Sequence, residues 1–149
     1  MSSTLKQRLT DEVKVAMKAG QKDRVAALRL LTAALKQQEV DQRIELDDTA
    51  VLAILDKQAK QRRESISQYE AAGREDLAAT ERFELALIQE FLPQALTEAE
   101  IDAMIEATLS ATGATGMRDM GKVMAELRPR MQGRADLAAV SAKLKQRLG

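Results

Sequence analysis

The amino-acid sequence predicts an all-α protein. Three observations indicate this. The strong helix formers Ala, Leu, Gln, Glu, Lys and Arg fill the chain. Gly and Pro, which interrupt helices, number only seven and two among 149 residues. No segment alternates apolar and polar residues with the period of two that marks a strand. Long helical segments are therefore expected throughout.

Four helices are predicted in the first part of the chain. Each carries apolar residues at alternating spacings of three and four, which places them on one helical face. The predicted helices cover residues 3–19, about 23–41, a long segment that reaches 72 after a cap at Asp47 or Asp48, and about 74–91. Ser2 or Ser3 can cap the first helix, and Gly20 suits its C-terminal end. Pro93 stops the fourth.

Three shorter helices are predicted after Pro93. The segment Thr97–Glu100 has the Thr-x-x-Glu pattern of a capping box, which satisfies two amides at the start of the fifth helix. The sixth helix should cover about 117–130, with Pro129 at its weak end, and Asp136 should cap the seventh. The sequence therefore predicts a four-helix N-terminal part followed by a compact three-helix part.

The predicted domains meet where Pro93 and the new capping box interrupt the chain. The N-terminal helical domain covers residues 1–95, and the C-terminal three-helix domain covers residues 96–149. A chain of 149 residues has room for one ordinary domain or two very small ones. Because a part of about 50 residues is marginally stable alone, the second domain is expected to be stabilised by the first.

Composition excludes several kinds of chemistry. The chain has no Cys and no His, which removes disulfides, Ser–His and Cys–His nucleophile pairs, and zinc sites that use these ligands. No EF-hand loop and no glycine-rich phosphate loop occurs, and Met120-Gly121-Lys122 lacks the required glycine spacing. We therefore expect no catalytic residues, no cofactor and no metal.

The sequence also lacks the marks of a membrane protein. No segment approaches the roughly 20 apolar residues that span a bilayer, and the N-terminal segment has no apolar stretch of signal-peptide length. We therefore expect no membrane association and a cytoplasmic location. The net charge is zero, so the whole chain has no general attraction to polyanions. The oligomeric state stays open.

One charged residue occupies an apolar position of the third predicted helix. The spacing of the stripe places Arg62 toward the interior, and the same spacing places Glu81 and Glu84 inward on the next helix. If the two helices fold back at Gly73, Arg62 approaches these glutamates. An ion pair is then expected, because an unpaired buried charge would be very costly. The group is a candidate structural ion pair that fixes helix register, or alternatively a polar functional site.

Basic residues are concentrated near the C-terminus. Residues 114–149 contain eight basic and three acidic residues, a local balance of +5. The basic residues are candidate nucleic-acid-binding positions: Arg118, Lys122, Arg128, Arg130, Arg134, Lys143, Lys145 and Arg147. A basic surface of this kind suits a phosphate backbone, and contact with folded RNA does not require aromatic side chains. The alternative is that these residues only complement helix dipoles.

Several short motifs resemble the signature of the YqeY-like family. The matching segments span nearly the whole chain: LRLLTAALK at 28–36, KQRRESISQYEAAGREDLA at 60–78, Glu84-Leu85, Phe91-Leu92-Pro93, MGKVM at 120–124 and GRAD at 133–136. The chain departs from the family where it continues Leu137-Ala138-Ala139, because the family usually carries a basic residue shortly after this turn.

The resemblance implies a function as well as a fold. Members are all-helical, and their C-terminal part is similar to the tail of the B subunit of the glutamine-dependent tRNA amidotransferase, which engages tRNA. Carbon–nitrogen ligase activity with glutamine as amido-N-donor is assigned to the family by similarity. This sequence supplies neither an ATP site nor ammonia-generating residues, so we expect no such activity from the chain alone.

Three functions remain open at the level of sequence. The first is a non-catalytic module that binds tRNA or a tRNA-handling protein. The second is a protein-interaction or assembly module without nucleic acid, in which Met117, Met120 and Met124 could line an adaptable groove. The same methionines could instead fill the core of a domain that is poor in aromatic residues. The third is a component of a true amidotransferase.

Overall fold

The computed structural model describes residues 4–149 and is all-helical over that range, as predicted. It contains seven α-helices and one 3-10 helix there, and no strand. The chain forms two compact units, Met1–Leu92 and Pro93–Gly149, which we call the N-terminal and C-terminal units. That residues 1–95 and 96–149 are separate domains stays a prediction.

The N-terminal unit contains four long helices. They are α1, Leu5–Lys18; α2, Lys22–Gln42; α3, Asp48–Ala71; and α4, Glu75–Gln89. The hydroxyl of Thr4 caps α1 by accepting a hydrogen bond from the Gln7 amide at 3.1 Å. The predicted caps Ser2 and Ser3 lie outside the described residues. Gly20 follows α1 with φ +70°, the left-handed conformation expected of it.

Large aliphatic side chains fill the core of the N-terminal unit. Leu9, Leu28, Leu35, Leu55 and Ile88 come from all four helices and are essentially inaccessible to solvent. Each lies on the apolar stripe of its helix, so the 3.6-residue period brings them together. Burial of these stripes stabilises helices that isolated segments would form only marginally.

The C-terminal unit contains three helices and a short 3-10 turn. They are α5, Glu98–Thr112; the 3-10 helix Met117–Asp119; α6, Met120–Met131; and α7, Leu137–Leu148. The predicted capping box is present: the Glu100 amide donates to the Thr97 hydroxyl, and the Thr97 amide donates to the Glu100 carboxylate, both at 3.1 Å.

Helix α6 differs from its prediction at both ends. Residues Met117–Asp119 form a 3-10 turn rather than the first α-helical turn, and α6 continues past Pro129 to Met131. Proline costs this helix one backbone hydrogen bond. The fully buried Met131 side chain packs in the core and holds the last turn in place. Met124 is also buried and Met120 partly so, so α6 directs these methionines into the core.

Candidate nucleic-acid interface

The eight predicted basic residues lie on four segments of the C-terminal unit. Arg118 lies in the 3-10 helix, three others lie on α6, Arg134 lies in the turn after α6, and the last three lie on α7. Arg128 and Arg130 are two positions apart on α6, and residues at that spacing do not face each other. The contacts of each residue show which of these side chains already have a partner.

Two of the basic residues are ion-paired to α5. Lys143 donates to Asp102 at 2.8 Å and also binds Glu98, and Arg147 pairs with Glu106. The three acids are spaced by four residues on α5 and the two bases by four on α7, so each set forms one row along its helix. Hydrogen bonds from Lys143 to Asp102 and Glu98 raise the pKa of the lysine. Both cations therefore already have carboxylate partners within the unit.

Arg134 ties two segments of the C-terminal unit together. Its Nε donates to the carbonyl of Gln94 at 3.1 Å, while its own carbonyl accepts a hydrogen bond from the Leu96 amide at 2.8 Å. The side chain is half-buried, and the turn before it uses Gly133 in the left-handed conformation, with φ +76°. Arg134 therefore contributes to the structure of the unit through these two hydrogen bonds.

The other five basic residues are exposed and form no ion pair within the part of the chain that the structure describes. We call them the unpaired cations: Arg118, Lys122, Arg128, Arg130 and Lys145. Three of them lie on α6 and one immediately before it. An exposed guanidinium or ammonium group without a protein partner is available to a phosphate oxygen.

Most carboxylates of the C-terminal unit are already engaged. Besides the three acids that pair with α7, Glu100 completes the capping box, and Asp136 accepts from the Ala138 amide at 3.0 Å. Asp119 accepts from the Thr115 amide at 2.9 Å, and this hydrogen bond lowers its pKa. Glu126 is exposed and lies one turn from Lys122 on α6. The charges of Arg118 and Lys122 also lower the pKa of Asp119, so these two unpaired cations have a carboxylate nearby.

The second candidate group lies in the N-terminal unit. Arg62 Nη1 lies 3.3 Å from Glu81 Oε2, and Arg62 Nε lies 3.0 Å from Glu84 Oε2. The Nε contact is close enough for an ion pair, but Nε forms no hydrogen bond there. All three side chains are half-buried, with 15–23% of their surface exposed. The structure thus brings together the three residues that the spacing predicted.

The space directly beside Arg62 is too small for a substrate, and the larger concavity nearby, of about 420 Å³, borders Glu84 but not Arg62. Leu31, Leu87 and Ile88 line a void beside the arginine whose volume is about 10 Å³. Such a volume holds one water molecule at most. The geometry therefore supports the interpretation that this group fixes the register of α3 and α4.

Residues 4–149 contain neither a metal site nor a membrane-spanning helix. Within this range no group of three or more Asp or Glu residues is arranged to hold a metal ion. None of the described helices combines the length and apolar character needed to cross a bilayer.

Sequence analysis missed the pairing of α5 with α7. The signal was present in the spacing, because Glu98, Asp102 and Glu106 recur every fourth residue, as do Lys143 and Arg147. Such rows mark complementary helix faces. The charge balance of residues 114–149 leaves these acids out, because they lie earlier in the sequence.

Comparisons with known proteins identify relatives over most of the chain. A family model described as Yqey-like protein matches residues 6–148. A protein from Pyrenophora tritici-repentis named Altered inheritance of mitochondria protein 41, mitochondrial, is 29% identical over 145 residues, which are 95% of this chain and 80% of the relative. Proteins of the same name from Eremothecium gossypii and Vanderwaltozyma polyspora are 36% and 32% identical, over 80% and 75% of this chain and 67% and 64% of their own lengths.

These names contradict the cytoplasmic location predicted from the sequence, because each includes the word mitochondrial. The prediction relied on the lack of a long apolar stretch near the N-terminus. Mitochondrial targeting segments are amphipathic and rich in Arg rather than apolar. The lack of an apolar stretch was therefore no argument about mitochondria, and the prediction was wrong.

Proposed function

Because the chain belongs to the Yqey-like family, we propose that it is a non-catalytic module that binds tRNA through its C-terminal unit. The family match over residues 6–148 confirms the resemblance predicted from the motifs. The tRNA itself is our proposal, drawn from the similarity between the C-terminal part of such proteins and the tRNA-engaging tail of an amidotransferase subunit.

The observation that carries the proposal is the set of unpaired cations. Five exposed basic side chains have no ion-pair partner among the described residues, whereas six of the seven carboxylates in the C-terminal unit are held by α7 or by backbone amides. Phosphate contacts by Lys and Arg supply most of the affinity for a nucleic-acid backbone. This unit has no Trp, Tyr or Phe, so recognition of the folded backbone is favoured over base stacking.

The proposal assigns no reaction to the chain. Nucleophilic catalysis of amide transfer requires an activated nucleophile and a base that accepts its proton, and a chain without His or Cys lacks the commonest pairs. We therefore assign the chain a binding step and not the carbon–nitrogen ligase activity that the family resemblance implied.

The experiment compares tRNA binding by the full chain and by two charge-matched variants. In the first variant, Arg128→Gln is combined with Arg130→Gln; in the control, Lys57→Gln is combined with Lys60→Gln on α3, where both lysines are exposed. Fluorescence anisotropy is measured over a series of salt concentrations. In the first variant the slope of log K against log salt should be smaller in magnitude by about 1.5, because two phosphate contacts are lost and each contributes about 0.7–0.9.

The control separates specific contact from a general effect of charge. It should retain the slope and affinity of the unmodified chain. Equal losses in both variants, or no measurable affinity for tRNA at low salt, would show that the unpaired cations do not form an RNA-binding surface.

A further inference from the structure

A regular row of residues runs along the exposed face of α2. Cations occur at every seventh position, at Lys22, Arg29 and Lys36, and Arg43 follows at the C-cap of the helix. Small apolar residues occupy the positions between them, at Ala26, Ala33 and Val40. All seven side chains are exposed, and none of the four cations forms an ion pair within residues 4–149. We call these residues the α2 row.

The row forms one wall of a groove between α1 and α2. Two adjoining concavities, each about 370 Å³, meet at Arg29, and Met17 and Thr10 form the opposite wall on α1. The Arg29 guanidinium lies 3.4 Å from the Met17 sulfur. Buried apolar residues of the core, including Ala16 and Leu35, contribute to the floor. The groove is thus apolar at its base and positively charged along one rim.

No carboxylate within residues 4–149 forms an ion pair with a cation of this rim. On α1, Glu12 is held by Arg24, and Asp11 accepts a hydrogen bond from Gln7. On α2 itself, Glu39 binds Lys6 at 2.8 Å and also accepts from the Leu46 amide at 2.9 Å. The positive charge of the row is therefore available to a partner.

The spacing of the charges identifies the kind of partner. A seven-residue repeat keeps its positions on one helical face, with a drift of about 20° per heptad. The cations recur about every 10.5 Å along the axis, at a rise of 1.5 Å per residue. A second helix packed along the groove presents its own residues with the same period, and small side chains such as Ala26 and Ala33 let its side chains pack between them.

We propose that the groove between α1 and α2 binds an amphipathic helix of a partner protein, with acidic residues at every seventh position facing the α2 row. The charges of the row select the acidic partner, because rim ion pairs determine pairing in helix–helix contacts. The exposed Met17 and Val40, at 53% and 64% of their full surface, supply apolar contacts that a phosphate backbone would not use. The groove is therefore better suited to a helix than to RNA.

The proposal can be tested with a designed probe. The probe is a synthetic helix of three heptads with Glu at every seventh position and Leu and Ala on the adjoining face; a peptide of identical composition in scrambled order is the comparison. Binding to the full chain is measured by fluorescence anisotropy. Lys22→Gln with Arg29→Gln and Lys36→Gln should weaken binding of the probe at least about tenfold, from the loss of three charge pairs.

Three further variants make the result specific. Lys57→Gln with Lys60→Gln and Arg63→Gln removes the same charge from the exposed face of α3 and should leave the affinity within about twofold. Ala33→Glu places a like charge in the middle of the groove and should abolish binding, whereas Ala33→Gln, of equal size, should weaken it less. Circular dichroism establishes that each variant is folded.

Equal affinity for the ordered and scrambled peptides would overturn the proposal, as would unchanged binding by the Lys22, Arg29 and Lys36 variant. If that variant instead loses affinity for tRNA while the probe never binds, the row is a nucleic-acid contact and the helix proposal is wrong. Because the unpaired cations of the C-terminal unit remain intact in every variant, failure of the probe to bind would leave the proposed function unaffected.

Discussion

Replacing Arg62 by Met should destabilise the N-terminal unit, because it leaves Glu81 and Glu84 facing each other without a cation. At separations of 3.3 and 3.0 Å and an effective dielectric constant of about 20, each ion pair has a gross attraction of about 5 kcal/mol. Desolvation of the three half-buried groups offsets most of this gain. Breaking a fully buried pair costs about 3–5 kcal/mol, and the remaining solvent exposure reduces the expected loss to about 2 kcal/mol.

Urea unfolding followed by circular dichroism measures this change. The midpoint of the Arg62→Met variant should fall by about 1 M or more. A companion variant, in which Arg62, Glu81 and Glu84 are all replaced by Leu, should be as stable as the original chain or slightly more so, because no unpaired charge remains. An Arg62→Met variant within about 0.5 kcal/mol of the original chain would refute the assignment of a structural ion pair.

Three further substitutions test local features. Thr97→Ala removes the capping box and should cost about 1 kcal/mol; unchanged thermal unfolding would contradict this. Arg43→Gly should raise the free energy of unfolding by about 1 kcal/mol, because Arg43 has φ 55° and glycine tolerates positive φ better. A lower free energy of unfolding in urea would contradict this. Lys6 and the Leu46 amide lower the pKa of Glu39 below its ordinary 4.5, so their stabilising effect is present above that pH and is lost as the pH falls further. In the Glu39→Gln variant, the melting temperature should depend less on pH below about 4.5 than it does in the original chain. Equal pH dependence in the two proteins would contradict this.

Two local sequence signals predicted helix ends correctly, whereas a third, Pro129, did not, because α6 continues to Met131. The Thr97–Glu100 pattern and Gly20 act through adjacent backbone groups, so their effect is contained in a few residues. Periodicity also placed Arg62 beside Glu81 and Glu84, because a turn at Gly73 folds the two helices together. Short-range spacing was sufficient in these cases.

The candidate site was harder to predict, because the availability of a charge depends on distant residues. The count of basic residues included Lys143 and Arg147, whose acidic partners on α5 lie about 40 residues earlier in the sequence. It also included Arg134, whose Nε donates a hydrogen bond to the carbonyl of Gln94. Helix packing decides which side chains stay free, and a local charge balance contains no information about that packing.

The salt dependence of tRNA binding by the unmodified full chain tests the central claim most directly. If all five unpaired cations contact phosphates, the slope of log K against log salt should lie near −4, at about −0.7 to −0.9 per contact. Binding that is absent at low salt, or that persists with a slope near zero, would contradict the assignment of this protein as a module that binds the tRNA backbone.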